Sequence, residues 1–187
     1  LIVLARPLVS LLYEHGEFSA ADGSLVARLL VLYAFSIPAW GLHQILSRHF
    51  YAQRMMWRVV LIGTVGTLVA IPVWLGLYSA MGVEGFALAS TLVMTAYALA
   101  LLVAWGVDAG WSPVRALVPS ILRGLVAAAL AAAVAYPIVS LMFGADYADL
   151  WEAVAAAALG GLTTIAVFLG VSYLLRAPEL GDLMRRG

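Results

Sequence analysis

Residues that commonly carry out catalysis are few in this chain and lie far apart along it. The 187 residues include three histidines and no cysteine, which excludes disulfides, thiolate metal sites and a cysteine nucleophile. Asp146 and Asp149 have no histidine near them in sequence, and no HExxH or P-loop pattern occurs. A membrane-surface hydrolase or transferase needs clustered carboxylates or a histidine–carboxylate pair. The sequence therefore predicts no catalytic residue, no metal site and no cofactor.

Arginines form the second group with clear chemistry, because a guanidinium group pairs with phosphate through two hydrogen bonds. Every basic residue is an arginine, and ten arginines are balanced by ten acidic residues, so no net charge points to nucleic acid as a partner. The segment 48–58, RHFYAQRMMWR, has two interpretations: an anchoring turn flanked by interfacial aromatics, which physics alone favours, or a site for lipid phosphates. In the second interpretation, Arg48 is a candidate phosphate-binding residue.

His43 is the one histidine inside a long apolar stretch, where it lies next to Gln44. Polar groups in hydrocarbon usually face the inside of a helix bundle or a cavity. A hydrogen bond to a neighbouring helix is the favoured role for His43. Contact with a polar substrate is the alternative.

The composition indicates which elements must position these residues. Hydrophobic residues make up 65% of the chain and charged residues 11%, against about 45–50% and about 25% in soluble domains, and the mean hydropathy is +1.04. A water-soluble globule is excluded. Stretches of about 20 apolar residues predict spanning helices, and the five complete stretches are 24–47, 59–81, 85–107, 117–143 and 153–175. Residues 1–13 are too short to span and are read as the end of a helix that begins upstream.

The charges between these stretches alternate in sign. Glu14 and Glu17 follow the partial helix, whereas Arg48, Arg54 and Arg58 follow the first full span. The later positions are Glu84 after the second span, Asp108, Arg115 and Arg123 after the third, Asp146, Asp149 and Glu152 after the fourth, and Arg176, Arg185 and Arg186 in the tail. Since arginine-rich loops stay in the cytoplasm, the C-terminus is predicted to be cytoplasmic and the acidic loops to face outward.

Prolines and small residues recur inside the predicted spans. Pro38, Pro72 and Pro137 are expected to kink their helices, because each lacks the backbone N–H of a regular helix. Small residues let helices approach closely, and they occur at helical spacing at Gly63, Gly66 and Thr67, at Ala87, Ser90 and Thr91, and at Gly160, Gly161 and Thr164.

Four motifs, in order over residues 11–89, resemble the MurJ (MviN) family of lipid II flippases. Residues 11–19, LLYEHGEFS, are similar to the family's LFerGaFt signature through Gly16 and Phe18. Residues 32–39, LYAFSIPA, resemble its yalGlpa motif. The remaining matches are Phe50, Tyr51 and Ala52, which repeat its FYA motif, and residues 82–89, GVEGFALA, which resemble its G..GlAlA motif and include Gly85.

The resemblance implies an all-α fold, the C-terminal half of a 14-helix bundle of the MOP exporter superfamily. Residues 1–107 would hold the end of the ninth helix and the tenth to twelfth helices, and residues 108–187 the last two helices and a cytoplasmic tail. The implied protein is a multi-pass transporter of the bacterial cytoplasmic membrane and not an enzyme. Its implied partners are the bilayer, an undecaprenyl-pyrophosphate-linked substrate and the upstream helices of the same protein.

The implied activity is flipping of lipid II, a precursor of peptidoglycan, by alternating access. In the family the last two helices form an apolar groove, and Arg115 and Arg123 would guide the pyrophosphate at its cytoplasmic end. Arginines that merely extend toward water at the interface are the alternative. Residues 53–58, QRMMWR, depart from the family's acidic residue and Thr-Pro. An exporter of another lipid-linked polysaccharide precursor therefore stays open, as does a membrane scaffold subunit without transport.

Overall fold

A computed structural model describes residues 2–13, 20–144 and 150–175, and every regular element in these ranges is a helix. The all-α fold class predicted from the sequence is confirmed for this part of the chain. The helices are α1 (Ala5–Tyr13), α2 (Ala20–Ala34), α3 (Ile37–Ala52), α4 (Met56–Met81), α5 (Val83–Ala109), α6 (Trp111–Phe143) and α7 (Leu150–Leu174).

Four of these helices, α4 to α7, are long and apolar enough to cross a membrane. They correspond to the last four predicted spans. The first predicted span, 24–47, is two helices instead: Asp22–Ala34 and Ile37–Ala52 meet at an angle of 41°, and they count as a fifth span only if the bent pair is taken as one.

The break between α2 and α3 follows from Pro38, which has no N–H to donate to the carbonyl of Ala34. Just before it, the N–H of Ser36 donates to the carbonyl of Tyr33 at 2.9 Å, three residues back rather than four. The carbonyl of Leu32 instead accepts a hydrogen bond from Thr91 Oγ1 of α5 at 2.9 Å. A neighbouring helix thus satisfies a backbone group that the break has freed, as hydrocarbon surroundings require.

Pro72 and Pro137 have a different outcome, since α4 and α6 each continue through their proline as a single helix. The longest helix, α6, also begins six residues before the predicted span at 117. Only Gly110 separates it from α5, and its φ of +83° is a backbone conformation that favours glycine. The ring of Trp111 then packs directly on Gly106.

The chain divides into two compact units, the hairpin unit (residues 28–114) and the terminal unit (residues 1–27 and 115–187). In the hairpin unit α3, α4 and α5 pack on one another around a small core of Leu46, Phe50, Val59 and Leu101. Helices α4 and α5 run antiparallel, because Gly82 with φ +63° is the single residue between them.

In the terminal unit α1 packs on α7. A core of Val3, Ala135, Val139 and Ala156 joins the first residues to α6 and α7. The side chains of this core are apolar, and two of the four are alanines.

Large apolar side chains lie mostly on the outside of the helices. Leu61, Leu68 and Leu75 follow one another at intervals of seven residues along α4, and each is more than 60% exposed. That arrangement is unfavourable in water and favourable in lipid.

Candidate functional site

Arg115 and Arg123 lie in the first half of α6, a helix that is longer than the hydrocarbon core of a bilayer is thick. A helix of 33 residues is about 50 Å long, whereas the hydrocarbon core is about 30 Å thick. Residues 124–143 carry no charge and by themselves cover about 30 Å. The preceding segment, 111–123, is therefore not needed to span the hydrocarbon, and Arg115 lies about 12 Å from Arg123 along the helix axis.

Neither arginine is neutralised within the described ranges. Arg115 is exposed and Arg123 is half-buried, and no acidic partner in those ranges forms an ion pair with either. Asp108, which precedes Arg115 in the mixed-charge loop, pairs with Arg58 of α4 instead. Two positive charges thus remain available along one helical segment at the membrane surface.

His43 lies on α3 among aromatic rings. Its Nε2 is 3.2 Å from Ser47 Oγ one turn further along the same helix, so the hydrogen bond is not the interhelical one that the sequence favoured. The other ring nitrogen, Nδ1, is buried without a hydrogen-bond partner among the described residues. The ring centroid is 4.8 Å from that of Tyr97 on α5 and 6.2 Å from that of Trp40.

A cavity of about 230 Å³ lies next to the break between α2 and α3. The polar or aromatic residues that line the cavity are Tyr33, Ser36, Trp40, Trp74, Ser90 and Tyr97. Trp74 Nε1 donates to Ser90 Oγ at 3.2 Å, and Ser90 Oγ donates to the carbonyl of Phe86. These hydrogen bonds favour a packing role for Trp74 and Ser90.

A larger groove, of about 610 Å³, runs between α4 and α5. Its lining is almost entirely apolar and includes the predicted small residues Gly63, Gly66 and Thr67. A methyl group added at Gly63 would be 3.0 Å from Tyr97 Oη, whereas one added at Gly66 would meet nothing within 4 Å. Gly63 therefore makes room for the Tyr97 side chain, and Gly66 leaves the groove open.

An ion pair lies at each end of α5, one with α2 and one with α4. Arg28 Nε of α2 lies 2.9 Å from Glu84 Oε1 at the start of α5. Arg58 at the start of α4 pairs with Asp108 at the end of α5. The turn before α4 and the turn after α5 therefore share one end of the bundle, in agreement with the alternating charges predicted for the loops.

The motif residues serve packing where they are described. Phe50 is 1% exposed in the core of the hairpin unit, whereas Tyr51 and Ala52 are exposed at the end of α3. A Cβ on Gly85 would lie 2.0 Å from the carbonyl oxygen of Leu77, so only glycine lets α5 start this close to α4. Gly16 and Phe18 lie outside the described residues.

Three residues with cross-helix contacts were not singled out as such from the sequence: Arg28, Thr91 and Tyr97. Tyr97 Oη donates to the carbonyl of Val59 at 3.2 Å, at the start of α4. A signal for Arg28 existed, because a charge inside a predicted span usually has a partner. For metals, the described ranges contain no group of three or more His, Cys, Asp or Glu side chains that could hold an ion.

Known proteins resemble this chain over most of its length. The family model "Lipid II flippase MurJ" matches residues 1–154. A Rhizobium meliloti protein named probable lipid II flippase MurJ is 27% identical over 136 residues, which cover 73% of this chain and 25% of that protein. A probable lipid II flippase MurJ of Aquifex aeolicus is 43% identical over 54 residues, 29% of this chain and 11% of that protein. The chain thus spans a quarter or less of these relatives' length.

Proposed function

Since the chain belongs to the MurJ family of lipid II flippases, we propose that it forms part of a transporter that moves lipid II across the bacterial cytoplasmic membrane. The match over residues 1–154 carries this proposal. The apolar helices α4 to α7 fit a multi-pass membrane protein. The activity would belong to a longer protein, in which the bent pair α2–α3 would be the tenth helix and α4 to α7 the eleventh to fourteenth of 14, working with the upstream helices.

The two halves of a lipid-linked substrate, a polar head and an apolar tail, make different demands on the transporter. A polar head with a pyrophosphate group must cross hydrocarbon without full loss of solvation, while its polyprenyl tail stays in lipid. Alternating access through a polar cavity between two helical lobes meets that need. Helices α6 and α7, whose mutual contacts involve small apolar side chains, would offer the tail an apolar path to the cavity.

Arg115 and Arg123 are the proposed guides for the pyrophosphate. Their support is their place on the segment of α6 that is not needed to span the hydrocarbon, with no acidic partner in the described ranges. A guanidinium group can hold a phosphate through two hydrogen bonds. This role requires the start of α6 and the C-terminus to be cytoplasmic, as the loop charges predict. His43 and Arg48 stay predictions as substrate contacts, and the division at residues 107 and 108 stays a prediction as well.

The test is complementation by the complete gene in bacteria depleted of their lipid II flippase. We expect rescue, and we expect Arg123→Ala to slow flipping about tenfold, because a charge-assisted hydrogen bond contributes about 1.5 kcal/mol or more. Ser120→Ala, nearly one turn earlier on α6, should leave flipping unchanged. Wild-type flipping by Arg123→Ala would remove this arginine from the mechanism.

A second candidate is export of another lipid-linked polysaccharide precursor, which the unusual segment 53–58 favours. That segment lacks the acidic residue and Thr-Pro of the family, and Arg54 within it has a φ of +60°. Failure of a stably inserted protein to rescue the depleted cells, together with binding of a different lipid-linked sugar, would favour this candidate.

A further inference from the structure

The turn between α3 and α4 carries positive charge that is only partly neutralised. Three arginines lie at this end of the hairpin unit: Arg48 in the last turns of α3, Arg54 in the connection, and Arg58 in the first turn of α4. Arg58 pairs with Asp108. Arg48 and Arg54 are exposed and form no ion pair with any acidic side chain in the described ranges. Two positive charges therefore face the surroundings of this turn.

Backbone hydrogen bonds hold the turn in a defined conformation. The N–H of Arg54 donates to the carbonyl of Tyr51 at 3.0 Å, and the N–H of Met55 donates to the carbonyl of Phe50 at 2.9 Å. Arg54 has a φ of +60°, in the left-handed region that residues other than glycine rarely occupy. The turn thus presents an arginine at a position where glycine would be easier to accommodate, an arrangement that is enriched at functional sites.

Exposed aromatic and sulfur-containing side chains surround the two arginines. Trp57 is 81% exposed, Met56 60% and Tyr51 51%. Tryptophan and tyrosine concentrate at the level of lipid headgroups, where one part of the ring is in lipid and the other in water. Because the turn joins a bent apolar helix pair to the spanning helix α4, it lies at a membrane surface. Arg48 and Arg54 are therefore at the depth of the lipid phosphates.

We propose that Arg48 and Arg54 bind the phosphate groups of anionic phospholipids in the adjacent leaflet. A guanidinium group matches a phosphate through two hydrogen bonds, and the exposed Trp57 and Met56 provide apolar surface for the acyl chains. Anionic lipid is the occupant that fits, because its negative headgroups attract arginines that lie next to a spanning helix. The site is separate in sequence from Arg115 and Arg123 and does not depend on which molecule the protein transports.

The first experiment measures phosphatidylglycerol binding to the protein expressed from its complete gene, by native mass spectrometry. Near a membrane surface each basic residue strengthens binding of anionic lipid about fivefold. Arg48→Gln combined with Arg54→Gln should therefore weaken phosphatidylglycerol binding roughly 30-fold. Phosphatidylcholine binding should be unchanged, and added salt should weaken only phosphatidylglycerol binding.

The control is Arg28→Gln, which removes an arginine that Glu84 neutralises at the opposite end of the hairpin unit. This variant should keep wild-type phosphatidylglycerol binding, whereas Arg54→Gln alone should weaken it about fivefold. Equal loss in both variants would show general attraction to the whole protein and would overturn the proposal, as would equal binding of the two phospholipids by the wild type. Displacement of phosphatidylglycerol from the turn by undecaprenyl pyrophosphate would overturn it in favour of a substrate site.

A local readout separates this turn from other lipid sites. A nitroxide attached to Gln53→Cys, on a background without other cysteines, lies next to Arg54. Its motion should slow in nanodiscs that contain phosphatidylglycerol compared with pure phosphatidylcholine, and the slowing should vanish when Arg48 and Arg54 are both changed to glutamine. Identical motion in both lipids with Arg48 and Arg54 in place contradicts binding at this turn.

Discussion

The cores of the hairpin unit and the terminal unit differ in their contacts. Around the core of the hairpin unit, hydrogen bonds cross from helix to helix at Thr91, Trp74 and Tyr97, and ion pairs join α2 to α5 and α4 to α5. The core of the terminal unit consists of apolar side chains from the first residues, α6 and α7: Val3, Ala135, Val139 and Ala156.

This difference has a physical consequence in lipid. Lipid tails are as apolar as leucine, so helices associate there through close packing and polar contacts rather than through the hydrophobic effect. Directional hydrogen bonds fix the register of α4 against α5. Packing between apolar side chains such as those of the terminal core is less directional.

Gly85→Ala should have the largest effect, because it breaks the closest approach in the hairpin unit. The added methyl group would be 2.0 Å from the carbonyl oxygen of Leu77, and a backbone atom cannot move aside as a side chain can. We expect a loss of roughly 3 kcal/mol in the free energy of unfolding, measured by thermal unfolding of the purified protein in detergent.

Gly76→Ala is the control for this change. Gly76 lies on α4, and a methyl group added there meets nothing within 4 Å. Alanine is also a better helix former than glycine. Stability equal to wild type or slightly higher is expected. If the two variants were equally stable, the close approach at Gly85 would not be what fixes the hairpin.

Gly160→Val tests the corresponding contact in the terminal unit and should have a smaller effect. A Cβ at Gly160 would lie 3.0 Å from Val139 Cγ2 and 3.2 Å from Leu4 Cδ2. Both neighbours are side-chain atoms rather than backbone, and Leu4 can change its rotamer although the β-branched Val139 is stiff, so we expect a loss of roughly 2 kcal/mol by the same unfolding assay.

Gly161→Val supplies the comparison at the next residue of α7, where an added Cβ meets nothing within 4 Å. It should lose little stability. A loss at Gly161 that matches the loss at Gly160 would mean that valine weakens α7 itself and that the packing contact is unimportant.

The apolar periods of the sequence predict α4, α5 and α7 to within a few residues, because long uncharged runs are a property of the chain alone. The motif containing Gly85 is also readable, and the structure supplies its reason in the carbonyl of Leu77. The apolar span predicted at 117–143 begins six residues after the start of α6, because Asp108 and Arg115 interrupt the apolar run. In the structure Asp108 ends α5 and is neutralised by Arg58, fifty residues earlier.

The break before Ser36 shows a second limit of sequence reasoning. Pro38 predicts a kink, but whether a helix bends or breaks depends on which neighbour can satisfy the freed carbonyl groups. Here Thr91 bonds to Leu32 across 59 residues of sequence. Pro72 and Pro137 have the same local signal and interrupt neither α4 nor α6.

Thr91→Val examines that contact and should have a moderate effect. Valine has nearly the same shape as threonine but no hydroxyl, so the carbonyl of Leu32 loses its hydrogen-bond donor. Thr91 is only 7% exposed. Interhelical hydrogen bonds in membranes contribute about 1 kcal/mol, and we expect a loss of that size in the free energy of unfolding.

Thr95→Val is the matched control, one turn further along α5. Its hydroxyl donates to the carbonyl of Thr91 in its own helix, so only a local hydrogen bond is lost. If Thr95→Val is as destabilising as Thr91→Val, the contact across the break has no special importance for the hairpin unit.

Removing the ion pairs of the hairpin unit should have the smallest effect on the free energy of unfolding. In the Arg58–Asp108 pair the side chains are 46% and 27% exposed, and in the Arg28–Glu84 pair 61% and 35%. Exposed pairs contribute roughly 0.5 kcal/mol, and salt screens them. A double-mutant cycle with Arg58→Gln and Asp108→Asn measures the coupling free energy directly.

The same cycle with Arg28→Gln and Glu84→Gln sharpens the result, since the more exposed pair should show the weaker coupling and both should decline as salt is raised. Coupling larger than the loss from Thr91→Val would reverse the order expected within the hairpin unit. Charge at the membrane surface, rather than close packing and buried hydrogen bonds, would then be what holds α4 and α5 in register.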